Sequence, residues 1–186
     1  PSLSVRRVEF SLDDGRVVSG GGIVPPLGIS VIDRNVQPEA GLSATRSTLE
    51  NAVLKVTLAP DGTIASLVHK PSGREALSGR GNQLWAYPVD KPRNWDAWDV
   101  EEDYAERGEP ITELDSMELA EAGPHRASIR VRRSYRNSTI TQTYVLTASS
   151  PRLDIETVLD WHDRRVFLRT LTPVAEADSC HWAQGA

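Results

Sequence analysis

The sequence predicts an all-β protein built as an antiparallel β-sandwich, and three observations indicate this fold class. Apolar residues recur with a period of two along much of the chain, as in strands that bury one face. Turn-forming Pro, Gly, Asn and Asp residues separate these stretches. Helical periodicity is nearly absent, since 74–77 is too short for a helix and 98–107 is charged almost all round. A lone sheet would leave a large apolar face exposed, so two packed sheets are expected.

The first predicted strand lies near the N-terminus. Val8, Phe10 and Leu12 alternate with polar residues and are followed by the turn signal 13–15. The segment 19–41 is rich in Gly and Pro, and we interpret it as a linker. The chain is therefore divided into opening strands with a linker, 1–41, and a β-sandwich domain, 42–186.

The clearest hairpin follows this linker. Apolar residues at alternate positions line one face of its first strand: Ala52, Leu54, Val56 and Leu58. Residues 59–62 then place Pro second and Gly fourth, as a type I turn prefers. Residues 63–69 return as the partner strand.

Strands also dominate the C-terminal half. The inward residues of one strand are predicted to be Ala127, Ile129, Val131 and Tyr135. Alternation places Arg130 and Arg132 on its solvated face, so the basic run 130–136 is interpreted as a surface feature. A turn at 136–138 leads into the Thr-rich strand 139–147, and 166–171 is predicted to be the last strand. Between them lies a predicted inward stripe of Leu153, Ile155, Thr157, Leu159 and Trp161.

The amino-acid composition limits the classes of function open to the chain. The chain has 186 residues, 39% of them hydrophobic and 25% charged, with a net charge of -5, which disfavours a broad nucleic-acid or anionic-membrane surface. No apolar run approaches the ~18 residues of a membrane span. No signal peptide is recognisable, but the first residue is Pro1, so we expect the natural start to lie upstream. The single cysteine, Cys180, excludes an internal disulfide and fits a reducing compartment, so we expect a cytoplasmic protein.

The most unusual segment is 90–104, which combines two indoles with several carboxylates. Sugars bind through apolar faces laid on aromatic rings and hydroxyl groups held by carboxylates, so we predict substrate-binding roles for Trp95, Asp96, Trp98 and Asp99. The alternative is an acidic loop whose tryptophans plug the edge of the core. A glycosidase carboxylate pair would need a separation of ~5 Å, which loop spacing does not establish.

Other motifs assign no chemistry. The four histidines, at 69, 125, 162 and 181, lack metal-ligand spacing, and His162-Asp163 is interpreted as a strand-end surface pair. No nucleophile elbow occurs, and Gly20-Gly21-Gly22 lacks the strand-to-helix context of a phosphate loop. We therefore assign no catalytic residue, no metal ligand and no cofactor to this chain.

Several segments, in order, resemble the C-terminal β-rich region of the α-mannosidases of glycoside hydrolase family 38. The similarity runs from about residue 24 to about residue 174. Its segments are Leu49-Glu50-Asn51, Asp61-Gly62, Leu67-Val68-His69-Lys70, Gly73-Arg74-Glu75, Asn82-Gln83-Leu84, Asp90-Lys91-Pro92, Trp95-Asp96-Ala97-Trp98-Asp99, Asp160-Trp161-His162-Asp163, Phe167-Leu168-Arg169 and Thr172-Pro173-Val174.

This resemblance implies a galactose-mutarotase-like super-sandwich. It also implies a parent enzyme that hydrolyses terminal α-mannosides with retention, using a zinc ion and an aspartate nucleophile of a catalytic domain without a counterpart here. The partners implied are that catalytic domain and the α-mannoside, and self-association into a homo-oligomer stays open. By resemblance, Trp95 and Trp98 would wall the sugar pocket, and Asp96 or Asp99 would bind hydroxyl groups or the catalytic domain. Trp161 is assigned to the core because it lies in the predicted inward stripe.

The family's β region continues beyond Ala186, so the sandwich is expected to be incomplete, with unpaired edges or an exposed core face. The chain alone is expected to be inactive. Two alternatives stay open: an independent carbohydrate-binding module, and a structural or oligomer-forming domain.

Overall fold

The computed structural model of the chain describes residues 4–11, 17–24, 41–88, 100, 102–148 and 150–175, the first two ranges by their backbone alone. Its regular elements are strands and, within these ranges, one 3₁₀ turn, Tyr104–Arg107. The strands are β1 (Ser4–Ser11), β2 (Val17–Val24), β3 (Ser43–Ala44), β4 (Thr48–Glu50), β5 (Leu54–Leu58), β6 (Ile64–His69), β7 (Arg74–Glu75), β8 (Gln83–Pro88), β9 (Glu109–Pro110), β10 (Ser116–Ala122), β11 (Arg126–Tyr135), β12 (Ser138–Thr147), β13 (Leu153–Asp160) and β14 (Val166–Leu171).

The predicted hairpin forms the centre of a five-stranded antiparallel sheet of order β3-β4-β5-β6-β7. The Gly62 amide donates to the Ala59 carbonyl at 2.8 Å and closes the turn between β5 and β6, as predicted. The placement of Ala52 on the inner face is wrong, since Ala52 is exposed and β5 begins only at Leu54. The cause is Asn51, whose side-chain oxygen accepts the amides of residues 53 and 54 and turns the chain there.

A four-stranded antiparallel sheet, β10-β11-β12-β13, faces it. The predicted inner residues of β11 are buried, and a two-residue turn, 136–137, leads into β12. Arg133 departs from the surface interpretation of the basic run: it is only 1% exposed. It lies two residues from both Val131 and Tyr135, and therefore on the inner face.

Two hydrophobic clusters hold the sheets together. The first fills the space between the five- and four-stranded sheets and is made of Leu49, Leu54, Val56, Leu58, Ile64, Leu77, Ala127, Ile129, Val131, Tyr144 and Leu146. The second lies under a three-stranded antiparallel sheet, β14-β8-β9, and is made of Leu84, Ala86, Ile111, Tyr135 and Ile140. Trp161 is partly buried and packs against the second cluster, as predicted. The protein is thus all-β with packed antiparallel sheets.

The predicted inward stripe of Leu153, Ile155, Thr157, Leu159 and Trp161 is exposed at its three central residues. Its residues in β13 share a face with buried residues of β12, yet Ile155 is 36% and Leu159 48% exposed, and Thr157 is also exposed. The reason is position, because β13 is the edge strand of its sheet and contributes only Leu153 to the first cluster.

β1 and β2 form an antiparallel pair. β2 takes in Ser19–Val24, the first residues of the segment interpreted as a linker, including three consecutive glycines. The predicted turn at 13–15 and residues 25–40 lie outside the described ranges. In the part of the chain that the structure describes, no helix has the length and hydrophobicity to cross a membrane.

Candidate functional site

The four residues predicted to contact sugar, Trp95, Asp96, Trp98 and Asp99, lie outside the described residues. The structure does describe the two ends of their segment. Strand β8 ends at Pro88, and the chain is described again at Val100 and through the 3₁₀ turn. The features that surround these two ends therefore define the candidate site.

Side chains alternate along β8, so one face of the strand lies on the core and the other faces the candidate site. Leu84 and Ala86 point into the second cluster, so Trp85 and Tyr87 lie on the opposite face of the three-stranded sheet. Strand β14 repeats the pattern, with Phe167 paired to Tyr87 across the ladder. The outer face of this sheet is consequently aromatic.

An aromatic cluster of Tyr87, Tyr104, Phe167 and Arg169 covers this face. The ring centroids of Tyr87 and Tyr104 are 5.1 Å apart at 66°, and each lies 5.7 Å from the Phe167 ring. The Arg169 guanidinium lies 5.5 Å from the Tyr104 centroid and 6.0 Å from that of Tyr87, and it donates to the Tyr104 hydroxyl. Edge-to-face rings with a cation above them are a favourable arrangement.

The 3₁₀ turn is held tightly to this cluster. Arg107 bridges Asp103 at 2.6 Å, closing the turn. The next residue is Gly108, where an added Cβ would come within 2.5 Å of the Tyr87 ring. Tyr87 is only 5% exposed beneath it. The cluster is thus mainly an anchor for the chain that returns from residues 89–99, and Tyr87 is not accessible to a sugar.

A buried polar network forms a second feature, which sequence reasoning missed. The Tyr144 hydroxyl accepts from Asn82 Nδ2 at 2.6 Å and donates to the Gly62 carbonyl at 2.7 Å. Gln142 Oε1 accepts from Asn82 and from Arg133 Nη1, both at 3.3 Å. The network therefore joins β11, β12, the 59–62 turn and the residue before β8.

Arg133 has neutral oxygen partners in this network. Its Nη2 donates to the Asp61 carbonyl at 2.6 Å, while the Asp61 carboxylate accepts from Thr63. Burial lowers the pKa of Arg133 and raises that of Tyr144. Burial would also raise the pKa of Asp61, but the hydrogen bonds from Thr63 outweigh it and hold that pKa below its usual value. Arg133 therefore acts as a fixed structural charge.

A tyrosine–carboxylate pair lies on the inner side of β9. The Tyr135 hydroxyl donates to Glu109 Oε1 at 2.6 Å, and burial together with this carboxylate raises the pKa of Tyr135 to about 12. Trp161 stacks on the Tyr135 ring at 5.8 Å and 6°, with Arg136 5.0 Å from the same ring. The phenol is thus kept protonated as a donor.

The three histidines in the described ranges, at 69, 125 and 162, bring no metal site together. The His162 ring contacts Asp160 at 2.8 Å, while Asp163 accepts from the buried Ser138 hydroxyl at 2.6 Å, so these side chains form no relay. Nowhere in the described ranges do three or more His, Cys, Asp or Glu side chains form a group that could hold a metal ion. His181 and Cys180 lie outside these ranges.

Comparison with known proteins gives one family and several relatives. The model of the glycosyl hydrolases family 38 C-terminal domain matches residues 49–180. Alpha-mannosidase 2C1 of Mus musculus and that of Homo sapiens are each 33% identical to this chain over 130 residues, which cover 68% of it. Alpha-mannosidase G of Dictyostelium discoideum is 29% identical over 130 residues, 65% of the chain. The matched stretch spans only 12% of each of these relatives.

Proposed function

Because the chain belongs to the family of C-terminal domains of glycosyl hydrolases family 38, we propose that it is the non-catalytic β-sandwich portion of a retaining α-mannosidase acting on terminal α-mannosides. The observation that carries this proposal is the match over residues 49–180, which takes in both hydrophobic clusters. The relatives named α-mannosidases support the activity of the whole enzyme.

In this proposal the sandwich supports the sugar site and supplies part of its wall. The segment that carries Trp95, Asp96, Trp98 and Asp99 leaves from β8 and returns to a 3₁₀ turn held by the aromatic cluster. Anchoring at both ends would limit the conformational entropy that the segment loses when it meets a sugar. The indoles would stack on the sugar, and the carboxylates would bind hydroxyl groups or the catalytic domain.

Zinc and the aspartate nucleophile are proposed to belong to another domain of the same polypeptide. The described residues of this chain offer no cluster of ligands that fits zinc, and none of them is proposed to hold the ion. The contribution of this chain would be to bind and orient the sugar.

The test is a pair of substitutions in the full-length enzyme. Trp98→Ala should lower kcat/KM for an α-mannoside by about tenfold, which corresponds to ~1.4 kcal/mol of lost sugar binding. The control is Leu119→Ala, which truncates an exposed apolar residue of β10 and should leave kcat/KM unchanged. If Trp98→Ala leaves both KM and kcat at the wild-type values, the segment does not wall the site.

A second measurement separates this role from the alternatives. The purified 186-residue chain should show no zinc-dependent turnover and no binding of mannosides by calorimetry, because a supporting domain lacks most of the site. Saturable mannoside binding by the chain alone would instead indicate an independent carbohydrate-binding module. Turnover by the chain alone would refute the non-catalytic assignment.

A further inference from the structure

Strand β13 presents an unusual edge to its surroundings. We name Leu153–Asp160, with its outer backbone, the β13 edge. Ile155 and Leu159 lie on one face of it, and Asp154, Glu156, Val158 and Asp160 lie on the other, where Val158 is 67% exposed. β13 pairs with β12 along its length, and no other strand of the described residues pairs with it. A row of unpaired N–H and C=O groups is a template for an added strand.

The inner face of the β13 edge is mainly apolar and would favour apolar neighbours. Ile155 lies opposite Tyr144, and Leu159 opposite Ile140. Both partners in β12 are completely buried, whereas Ile155 and Leu159 keep 36% and 48% of their surface exposed. An added strand with apolar residues at alternate positions would cover this stripe and continue the core.

The outer face of the β13 edge is mainly acidic and would favour positively charged neighbours. Glu156 and Asp160 lie opposite Thr143 and Thr139, so β12 places no basic residue directly across from them. Arg126 reaches Glu156 at 3.4 Å, and His162 reaches Asp160 at 2.8 Å, but the two carboxylate side chains remain 63% and 73% exposed. The remaining carboxylate, Asp154, is paired with Arg152 at 2.7 Å. Basic residues of an added strand would be the complement.

Pairing with the β13 edge of a second copy does not meet these requirements. In an antiparallel pairing of β13 with itself, residues that share a face lie directly opposite each other. Centring such a pair on Thr157 places Asp154 opposite Asp160, and centring it on Val158 places Glu156 opposite Asp160. Centring on Ile155 or Glu156 likewise brings two carboxylates face to face. Like charges directly opposite are destabilising, so the outer face disfavours self-pairing.

We propose that the β13 edge binds an extended strand in which apolar residues alternate with Lys or Arg, supplied by another part of the same polypeptide. The source of the strand rests on the proposed function, in which this chain is one portion of a longer enzyme. The chemistry of the strand rests on the geometry of β13.

The test uses the purified 186-residue chain and synthetic, fluorescein-labelled octapeptides. One peptide alternates Val with Lys, a second alternates Val with Glu, and a third holds the Val and Lys residues in blocks of two. Fluorescence anisotropy should show the alternating Val–Lys peptide binding about tenfold more tightly than either of the others, and this preference should weaken as salt is added. Equal affinities for the three peptides, or binding of none, would overturn the proposal.

Charge reversal identifies the surface that binds. The double variant Glu156→Lys and Asp160→Lys should reverse the preference towards the Val–Glu peptide, since both side chains are exposed and their replacement leaves the core intact. The matched control is Glu118→Lys on β10, at the opposite edge of the same sheet and 57% exposed, which should keep the wild-type preference.

A change of preference in the control would contradict the assignment to β13. So would dimerisation of the wild-type chain, seen by sedimentation, that Ile155→Lys abolishes, because it would identify a second copy as the occupant. None of these measurements depends on mannoside hydrolysis, so this proposal and the proposed function can fail separately.

Discussion

Arg133 is a charged side chain enclosed between two sheets. It is 1% exposed, and it donates to the main-chain oxygen of Asp61 and to the side-chain oxygen of Gln142. Burying a charge is costly, and neutral oxygens offset only part of that cost. The geometry indicates what is gained: the guanidinium ties the 59–62 turn of one sheet to β11 and β12 of the other.

The burial of Arg133 was predictable from the sequence. Positions 127, 129, 131 and 135 were assigned inward by alternation, and 133 has the same parity. The basic run is interpreted as a surface feature because alternation exposes Arg130 and Arg132, but Arg133 has the opposite parity to those two residues. Alternation applied to each position separately therefore predicts the inner face for Arg133.

Arg133→Ala should destabilise the chain by about 3 kcal/mol, because it opens a cavity, leaves the Asp61 carbonyl without this donor and removes one of the two donors to Gln142 Oε1. Arg132→Ala provides the control: the neighbouring residue is exposed on the opposite face of the same strand, and its loss should cost no more than ~0.5 kcal/mol. Urea unfolding at pH 7 measures both. Equal losses for the two variants would show that the network does not link the sheets.

At the scale of elements, the hairpin β5–β6 was predictable because its signals are local. Period-two alternation gave the strands, and the order Pro60, Asp61, Gly62 gave the turn. The start of β5 was not predictable in this way. It depends on Asn51, whose side-chain nitrogen Nδ2 donates to the distant main-chain carbonyls of Thr147 and Ser150 at 2.7 and 2.9 Å.

The turn of this hairpin also depends on contacts that sequence does not reveal. Gly62 has a φ of +73°, and an added Cβ would lie 2.7 Å from Arg133 Nη2 and 2.8 Å from Val131 Cγ1. Gly73 has a similar φ of +65°, but an added Cβ there would meet nothing within 4 Å. A residue other than glycine would be strained at both positions, but only at position 62 would it also clash with neighbouring atoms.

Gly62→Ala should therefore cost about 3 kcal/mol or more of stability, from backbone strain and overpacking together. Gly73→Ala should cost about 1 kcal/mol, from strain alone. Thermal unfolding of both variants beside the wild type gives the comparison. A loss at residue 73 as large as that at residue 62 would mean that backbone strain, and not contact with β11, dominates at the turn.

At the scale of the whole molecule, the sequence predicted the fold class but not which strand faces are covered. Alternation in β13 correctly gave a shared face for Ile155 and Leu159, yet burial also requires a facing sheet, and the described strands place none over them. Covering depends on the relative positions of distant segments, which local patterns do not encode. The four site residues stay a prediction from the sequence, whereas the anchor in Tyr87, Tyr104 and Arg169 was seen only in the structure.

The stability of the whole molecule should fall in acid, because three carboxylates of the hairpin region have lowered pKa values. A hydrogen bond from Lys70 lowers the pKa of Glu50, and Asp61 is held low by Thr63. For Glu75, burial would raise the pKa, but hydrogen bonds from Ser66 and from the amides of Leu67 and Leu77 outweigh it.

A carboxylate with a lowered pKa stabilises the folded state at every pH above its unfolded value, 4.5 for Glu75, and this stabilisation is lost as the pH falls through the folded value. Glu75→Gln should thus cost about 1 kcal/mol at pH 7 and progressively less below pH 4.5, because the wild type loses the same interaction on protonation. Urea unfolding between pH 7 and pH 3 measures the difference. The control Glu113→Gln, at an exposed residue, should change stability by less than ~0.5 kcal/mol throughout. A cost of Glu75→Gln that is constant over this range would contradict the assigned role of the carboxylate.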